Sequence, residues 1–258
     1  MEPDNAYLTD KARFLEVAEY FVDRTVEETA HELPAFEGES LMRLGLSTLA
    51  KDNAEIVFAL SESPIETIFM NSLALLMIKN AIPLVIQPQV PDAPAFTKDM
   101  RAQLRKLKEF VTWYEARHDN WSGISTYIED QVARGIMPSE ERSGLLKWIL
   151  YYDWLHYRDC LHVIMQAGLP QIKVNGKGIR VDLYFWIPSN ENCNMVVECD
   201  GFLYHGDRQT FTKDRQRDRA LTAAGLQCVR YSGSEITNDP VASSSNLFDL
   251  IEHWLKFD

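Results

Sequence analysis

The stretch Val196-Val197-Glu198-Cys199-Asp200-Gly201-Phe202-Leu203-Tyr204-His205 decides how this chain is read. With Met195 before it, it begins as an apolar strand, then places two carboxylates one residue apart and meets a glycine. Successive side chains of a strand face opposite ways, so Val197 and Cys199 point to one side and Val196, Glu198 and Asp200 to the other. Upstream of the turn Ser189-Asn190-Glu191-Asn192-Cys193-Asn194 lies a second strand, residues 179 to 187. There Val181, Leu183, Phe185 and Ile187 share one face, and Arg180, Asp182 and Tyr184 the other. If the two strands pair across the turn, Asp182 lies near Glu198 on one side of a sheet. Three carboxylates then converge on a partly apolar surface, where unpaired charge is costly. Oxygen donors of this kind favour a hard divalent cation, Mg²⁺ or Mn²⁺ rather than zinc. Salt bridges to Arg180, Arg217 or Arg230 are the structural alternative, and spacing alone leaves both readings open.

Working outward, the turn pair Asn175-Gly176 joins residues 171–174 to this strand as a hairpin. Downstream, Phe211 to Gly225 reads as a helix closed by its glycine, Leu226 to Ser232 as a further strand, and the segment from Ser244 onward as an amphipathic helix. Near the middle of the chain, Ser63-Pro64-Ile65-Glu66 starts a helix with an N-cap serine, a proline in the first turn and a capping-box glutamate. That helix ends near Lys79-Asn80 and leads into a strand at Leu84-Val85-Ile86-Gln87, with Pro88 marking an edge or bulge. Residues 8 to 60 have helical spacing, with Gly38 and Asp52-Asn53 as expected breaks. Residues 96 to 168 also read as helical, the last helix starting at Pro138 and stopping at Gly168-Leu169-Pro170.

The totals narrow the function classes. The 258 residues with 46% hydrophobic content suffice for a buried core. Six Trp, ten Tyr and twelve Phe argue against a disordered chain. The longest apolar run is too short to span a bilayer, and the N-terminus lacks a secretory pattern. Four cysteines without a CxxC pair read as reduced thiols, so a cytoplasmic protein with no membrane partner is expected. A net charge of −12 argues against a general polyanion binder. Charge is unevenly spread, however: Gln171 to Ile236 carries +1 and the remainder −13. Arg208, Lys213, Arg215, Arg217 and Arg219 crowd together within the balanced segment, a basic strip beside carboxylates that suits a local nucleic-acid site.

Taken in order, Asp182, Glu198-Cys199-Asp200-Gly201, His205, Asp214-x-x-Arg217-Asp218-x-x-Leu221-x-x-x-Gly225 and Val229-Arg230 resemble the PD-(D/E)XK nuclease superfamily. The nearest branch contains the very-short-patch repair endonucleases and their relatives. The helix with Glu66 and the strand before Gln87-Pro88-Gln89-Val90 match the start of that core. The resemblance covers roughly 61–90 and 171–237. It implies an α/β fold with a mixed central sheet flanked by helices. Residues 61–90 and 171–258 would form the nuclease-like core, 91–170 a long helical insertion and 1–60 an N-terminal helical addition. It also implies Mg²⁺-dependent (or Mn²⁺-dependent) hydrolysis of DNA phosphodiester bonds. Asp182 and Glu198 would hold the metal, with the backbone carbonyl of Cys199, and Glu66 would add a ligand or orient a water.

One position departs from the pattern. The superfamily generally has Lys where this chain has Asp200, and Asp200 cannot supply that cation. His205, Lys213, Gln87 or Gln89 are the available substitutes, His205 also as a general acid or base. Every site residue has a structural alternative. Glu66 is explained by its cap alone. Asp200 is a ligand or an arginine partner, and Arg230 is a carboxylate partner or a phosphate clamp. Asp214, Arg217 and Asp218 form intrahelical ion pairs or, with Lys213 and Arg230, meet the nucleic acid. Trp148, Tyr151, Tyr152 and Trp154 read as core rather than base-stacking groups, and Arg101 to Lys108 as a solvated helix face. Three functions follow: a DNA endonuclease; a weak or inactive nucleic-acid-binding relative; or a nuclease-fold subunit acting through a protein partner bound by the helical regions.

Overall fold

The structure is a computed structural model that describes residues 5–29, 36–117, 124–136, 160–201 and 208–252. The chain divides into two compact units, Met1–Thr97 with Asp159–Asp258, and Lys98–Arg158. In chain order the elements are α1 (Ala6–Thr9), α2 (Lys11–Thr29), α3 (Phe36–Leu60), α4 (Pro64–Lys79), β1 (Leu84–Gln87), α5 (Ala93–Glu115), α6 (Ile124–Ala133), β2 (Leu161–Val174), β3 (Lys177–Trp186), β4 (Asn194–Asp200), α7 (Arg208–Ala223), β5 (Gln227–Ser232), α8 (Gly233–Asn238) and α9 (Pro240–Glu252).

The larger unit is built on one mixed sheet in the order β1-β2-β3-β4-β5. β1 runs parallel to β2, β3 antiparallel to both its neighbours, and β5 parallel to β4. Helices cover both faces. Arg230 and Tyr231 are adjacent on β5 and therefore face opposite ways. Tyr231 stacks on Phe69 of α4, ring centroids 5.1 Å apart, while Arg230 bonds Asp218 of α7 at 3.1 Å. The mixed sheet flanked by helices agrees with the coarse architecture that the resemblance implies.

α4 stands at the centre of the helical layer. Ser63 caps it as expected, its Oγ accepting the Glu66 N–H at 3.3 Å, with Pro64 in the first turn. Phe69, Met70, Leu73, Ala74 and Met77 are all buried. A helix that is apolar on every side must be enclosed, and α1, α2, α3, α8 and α9 pack around it. Polar side chains fix that packing. Asn71 donates to the Leu8 carbonyl at 2.7 Å and Thr25 to the Ile78 carbonyl at 3.1 Å.

Two expectations about helices are corrected. α3 runs unbroken through Gly38 and Asp52-Asn53. Asn53 is buried because its amide serves another element: it donates to the Leu84 carbonyl at 2.8 Å and accepts the Ile86 N–H at 3.2 Å, tying α3 to β1. The helix expected to run from Pro138 to Gly168 gives way to strand at Leu161; residues 137–159 lie outside the described residues. Leu161 to Ala167 are buried one after another, so neither period shows, and such a run cannot be told from a buried helix by pattern. Gly168 is no helix stop either. A Cβ there would lie 2.1 Å from the Pro91 carbonyl oxygen, and its N–H donates to Val90 at 2.8 Å. Pro170 sits where the β2–β3 register shifts between Leu169 and Lys173, a bulge that tolerates its missing donor.

Local turn chemistry behaves as read. Asn175 and Gly176 have φ of 53° and 78° and close the β2–β3 hairpin. Gly225, φ 76°, ends α7 before β5. Within the smaller unit, Trp113 and Tyr127 place their ring centroids 6.0 Å apart and the Arg117 guanidinium lies 4.8 Å from the Trp113 ring centre. Trp148, Tyr151, Tyr152 and Trp154 lie outside the described residues. Among the described residues no helix is long and apolar enough to cross a membrane.

Candidate functional site

Sheet register assembles a polar row across four strands. The pairs Met165–Leu183 and Ala167–Val181 set Gln166 of β2 opposite Asp182 of β3. The pair Leu183–Val197 sets Asp182 opposite Glu198 of β4, and Glu198 pairs directly with Arg230 of β5. The β3–β4 ladder stops at Leu183–Val197. Beyond it the Cys199 N–H donates at 2.9 Å to the Asp182 side chain, so the carboxylate takes a donor from the backbone of the neighbouring strand.

Asp182 and Glu198 are thus brought together, as the sequence predicts. Glu198 is 3% exposed. Burial pushes its carboxyl up to about 8, with Asp182 adding to the rise and Arg217 opposing it. Burial also raises Asp182, against the Cys199 N–H and the Arg217 charge. Two neighbouring buried carboxyls disfavour ionising together, so the pair holds a proton toward neutral pH. The direct counter-charge is Arg217 of α7, whose Nη2 lies 2.5 Å from Glu198 Oε1. That contact is close but not aligned: among the described residues Glu198 Oε1 and Arg217 Nε are both buried without a hydrogen-bond partner. Arg217 Nη2 also donates to the Arg180 carbonyl.

Glu66 joins the pair from the first turn of α4. It is 5% exposed. Its Oε2 accepts from the Glu62 N–H at 3.0 Å and from Gln166 Nε2 at 2.9 Å, and its Oε1 accepts from Ser63 Oγ at 3.0 Å. Burial raises its carboxyl, Glu62 lowers it, and the charge of Asp182 raises it again. Half of the expected capping box forms: Ser63 caps the helix, but the Glu66 carboxylate takes the Glu62 N–H in place of that of Ser63, and the same glutamate lies in the Asp182 field.

Asp200 has a different fate. Arg230 Nη1 meets both its carboxylate oxygens, at 2.8 and 2.9 Å, while Arg230 Nε bonds Asp218 at 3.1 Å. Arg230 is therefore a carboxylate partner here, and the helical Asp218 pairs outward with the strand. Lys213 is exposed on α7, four residues before Arg217 and on the same helix face. Gln87, one candidate substitute for the missing Lys, accepts from Trp186 Nε1 at 3.1 Å. His205 lies outside the described residues. Gly201 is uncrowded: a Cβ there would meet only Ile65 Cδ1, at 3.9 Å, whereas at Gly233 the same atom would be 2.6 Å away. The Cys199 thiol is buried and lies well above its ordinary range, held there by burial and the surrounding carboxylates.

Sequence reasoning missed Gln166. It lies in an apolar run, is 3% exposed, and has a left-handed backbone with φ 52°. The signal available was one polar residue among buried neighbours, legible only once register sets it opposite Asp182.

Among the described residues no three His, Cys, Asp or Glu side chains stand close enough together to enclose an ion as they are placed. The donor chemistry nevertheless fits a hard cation. The groups along the row are carboxylate and amide oxygens, and one of them, Gln166 Oε1, is buried without a hydrogen-bond partner among the described residues. Comparison with family models, with curated proteins and with solved structures finds no match for this chain.

Proposed function

We propose that this chain is a metal-dependent endonuclease that hydrolyses DNA phosphodiester bonds at the Gln166–Asp182–Glu198 row, with a PD-(D/E)XK-like core. The observation that carries the reading is the buried pair Asp182–Glu198 with Glu66 beside it. Among the described residues Asp182 and Glu198 adjoin one guanidinium, that of Arg217, while Glu66 lies in the field of Asp182, and burial raises the Glu198 carboxyl to about 8. A structural ion-pair network has no need of that imbalance, whereas a cation site is built from it.

Asp182 and Glu198 would hold Mg²⁺ or Mn²⁺, with the Cys199 carbonyl between Glu198 and Asp200. When bound, the cation lowers the pKa of a water and offsets charge on the scissile phosphate. Arg217, which neutralises Glu198 in the absence of a cation, would then be available to contact the phosphate. Glu66, fixed by Ser63, Glu62 and Gln166, orients the attacking water. Arg217 and Arg230 bring positive charge to the end of β4, where the superfamily pattern has its Lys. Lys213 extends that charge along α7, over which the DNA backbone would run.

A second reading keeps the fold and DNA binding but not the chemistry. It is favoured by Asp200, which occupies the Lys position and is engaged on both oxygens by Arg230. Supercoiled plasmid separates the two. Nicking with Mg²⁺ or Mn²⁺, lost by at least about 100-fold in both Asp182→Ala and Glu198→Ala, is the expected result, as for a cation and its ligands acting together. DNA binding without cleavage in either metal sinks the enzyme reading and leaves the second.

A further inference from the structure

We infer that Gln166 is a working part of this site: its carboxamide nitrogen holds Glu66 toward the Asp182–Glu198 pair, and its carboxamide oxygen is a further ligand for the cation. The inference rests on the metal-dependent reading above and adds to it a ligand from the strand before Asp182.

Three independent observations point to Gln166. The first is register, which sets it directly opposite Asp182, itself opposite Glu198. The second is conformation. Its φ of 52° is one that side-chain-bearing residues seldom adopt, and it falls inside β2, not in a turn. An off-region backbone in a sheet interior persists where surrounding structure holds it, and such residues gather at ligand sites. The third is hydrogen bonding. Nε2 donates to Glu66 Oε2 at 2.9 Å, while Oε1 is buried with no hydrogen-bond partner among the described residues. A glutamine present only to satisfy Glu66 needs one half of its amide. The other half is a hard oxygen donor, buried and unused, in a cluster whose remaining donors are carboxylates. Amide and carboxylate oxygens are the ligand types that Mg²⁺ and Mn²⁺ select.

The roles divide by atom, so substitutions can separate them. Gln166→Met keeps length and removes both polar atoms. Gln166→Glu keeps an oxygen donor and loses the N–H that holds Glu66. The measurement is Mn²⁺ binding to the full chain by isothermal titration calorimetry, with circular dichroism and a metal-free melt to establish folding. Q166M is expected to weaken Mn²⁺ binding by roughly 10- to 100-fold, the range seen when groups orienting or completing a metal site are removed. Q166E is expected to restore most of that affinity. In the unsubstituted protein, the Gln166 side-chain amide resonances should shift on Mg²⁺ addition with the same midpoint as binding, a readout independent of whether Q166M folds.

Mn²⁺ affinity unchanged in folded Q166M, while Asp182→Ala loses it, overturns the role of Gln166 and leaves the metal site standing. Loss in Q166M without recovery in Q166E overturns the ligand assignment. Amide resonances that stay fixed while Mg²⁺ binds overturn it too. No Mn²⁺ binding by the unsubstituted chain removes the site reading and this inference with it.

Discussion

The polar row ends in two neighbouring clusters that carry opposite electrostatic states. At the outer one, Arg230 bonds both oxygens of Asp200 and reaches Asp218, all three side chains being about one quarter exposed. Charges there are matched, hydrogen-bonded and partly in contact with water. At the inner one, Asp182 and Glu198 lie side by side under burial with Glu66 in the field of Asp182, and among the described residues the guanidinium touching Glu198 is poorly aligned with it. Glu198 and Asp200 are two residues apart on one face of one strand, yet one is a strained acid and the other a settled ion pair. Solvent access and the number of arginines that reach each carboxylate separate them. An ion pair that is complete has little further chemistry to offer, whereas an acid forced to keep its proton near neutrality can exchange that proton for another positive charge.

The largest expected effect tests the inner cluster by pH. Glu198 is raised from its ordinary 4.5 to about 8 by burial, so the folded protein keeps a proton that the unfolded chain has released across that interval. Stability of the metal-free protein is therefore full below about pH 4.5 as far as this group is concerned, and is lost as pH rises toward 8. A tenfold difference in proton affinity between the folded and unfolded chain is about 1.4 kcal/mol, so the fall is on the order of a few kcal/mol. Thermal melts in chelator at stepped pH measure it. Glu198→Gln should flatten the slope, and a slope that survives the substitution assigns the shared proton elsewhere.

Arg230→Met probes the outer cluster. It strands Asp200 and Asp218, but both are partly hydrated, so about 1–3 kcal/mol of stability should be lost, toward the low end. Urea denaturation reads it. A loss no larger than that of an ordinary surface substitution would mean the outer pair is not the settled network its geometry describes. Ser63→Ala gives the smallest effect. It removes one partner from the Glu66 carboxylate and the cap from α4, at a cost of about 1 kcal/mol. If Glu66 serves the inner cluster, the same variant should weaken Mn²⁺ binding more than its stability loss alone would suggest, a difference visible by calorimetry.

What could be read from the chain followed how local the governing chemistry is. Asn175-Gly176, Ser63-Pro64 and Gly225 act within a few residues, and each does in the structure what its type implies. The convergence of Asp182 and Glu198 needed one further step, strand alternation across a single turn, and it too was legible. β2 was not, because a strand buried on both faces erases the period that marks a strand. Asn53 looked like a helix breaker because its true partner, the backbone of β1, lies some thirty residues away. The separation of Glu198 from Asp200 and the place of Gln166 depend on register across four strands and on which guanidinium arrives from α7 or β5. No spacing within one segment encodes that.

The central position of α4 has one more consequence. Glu66 sits at the tip of a helix that is sheathed by α1, α2 and α3, and its footing is set by Asn71 gripping Leu8 and Thr25 gripping Ile78. The described helices of the first sixty residues thus help to seat the site. Trimming them would strip Phe69, Met70 and Met77 of cover and unseat a carboxyl far along the chain. Any minimal fragment that is to keep the acid cluster in register must begin ahead of α1.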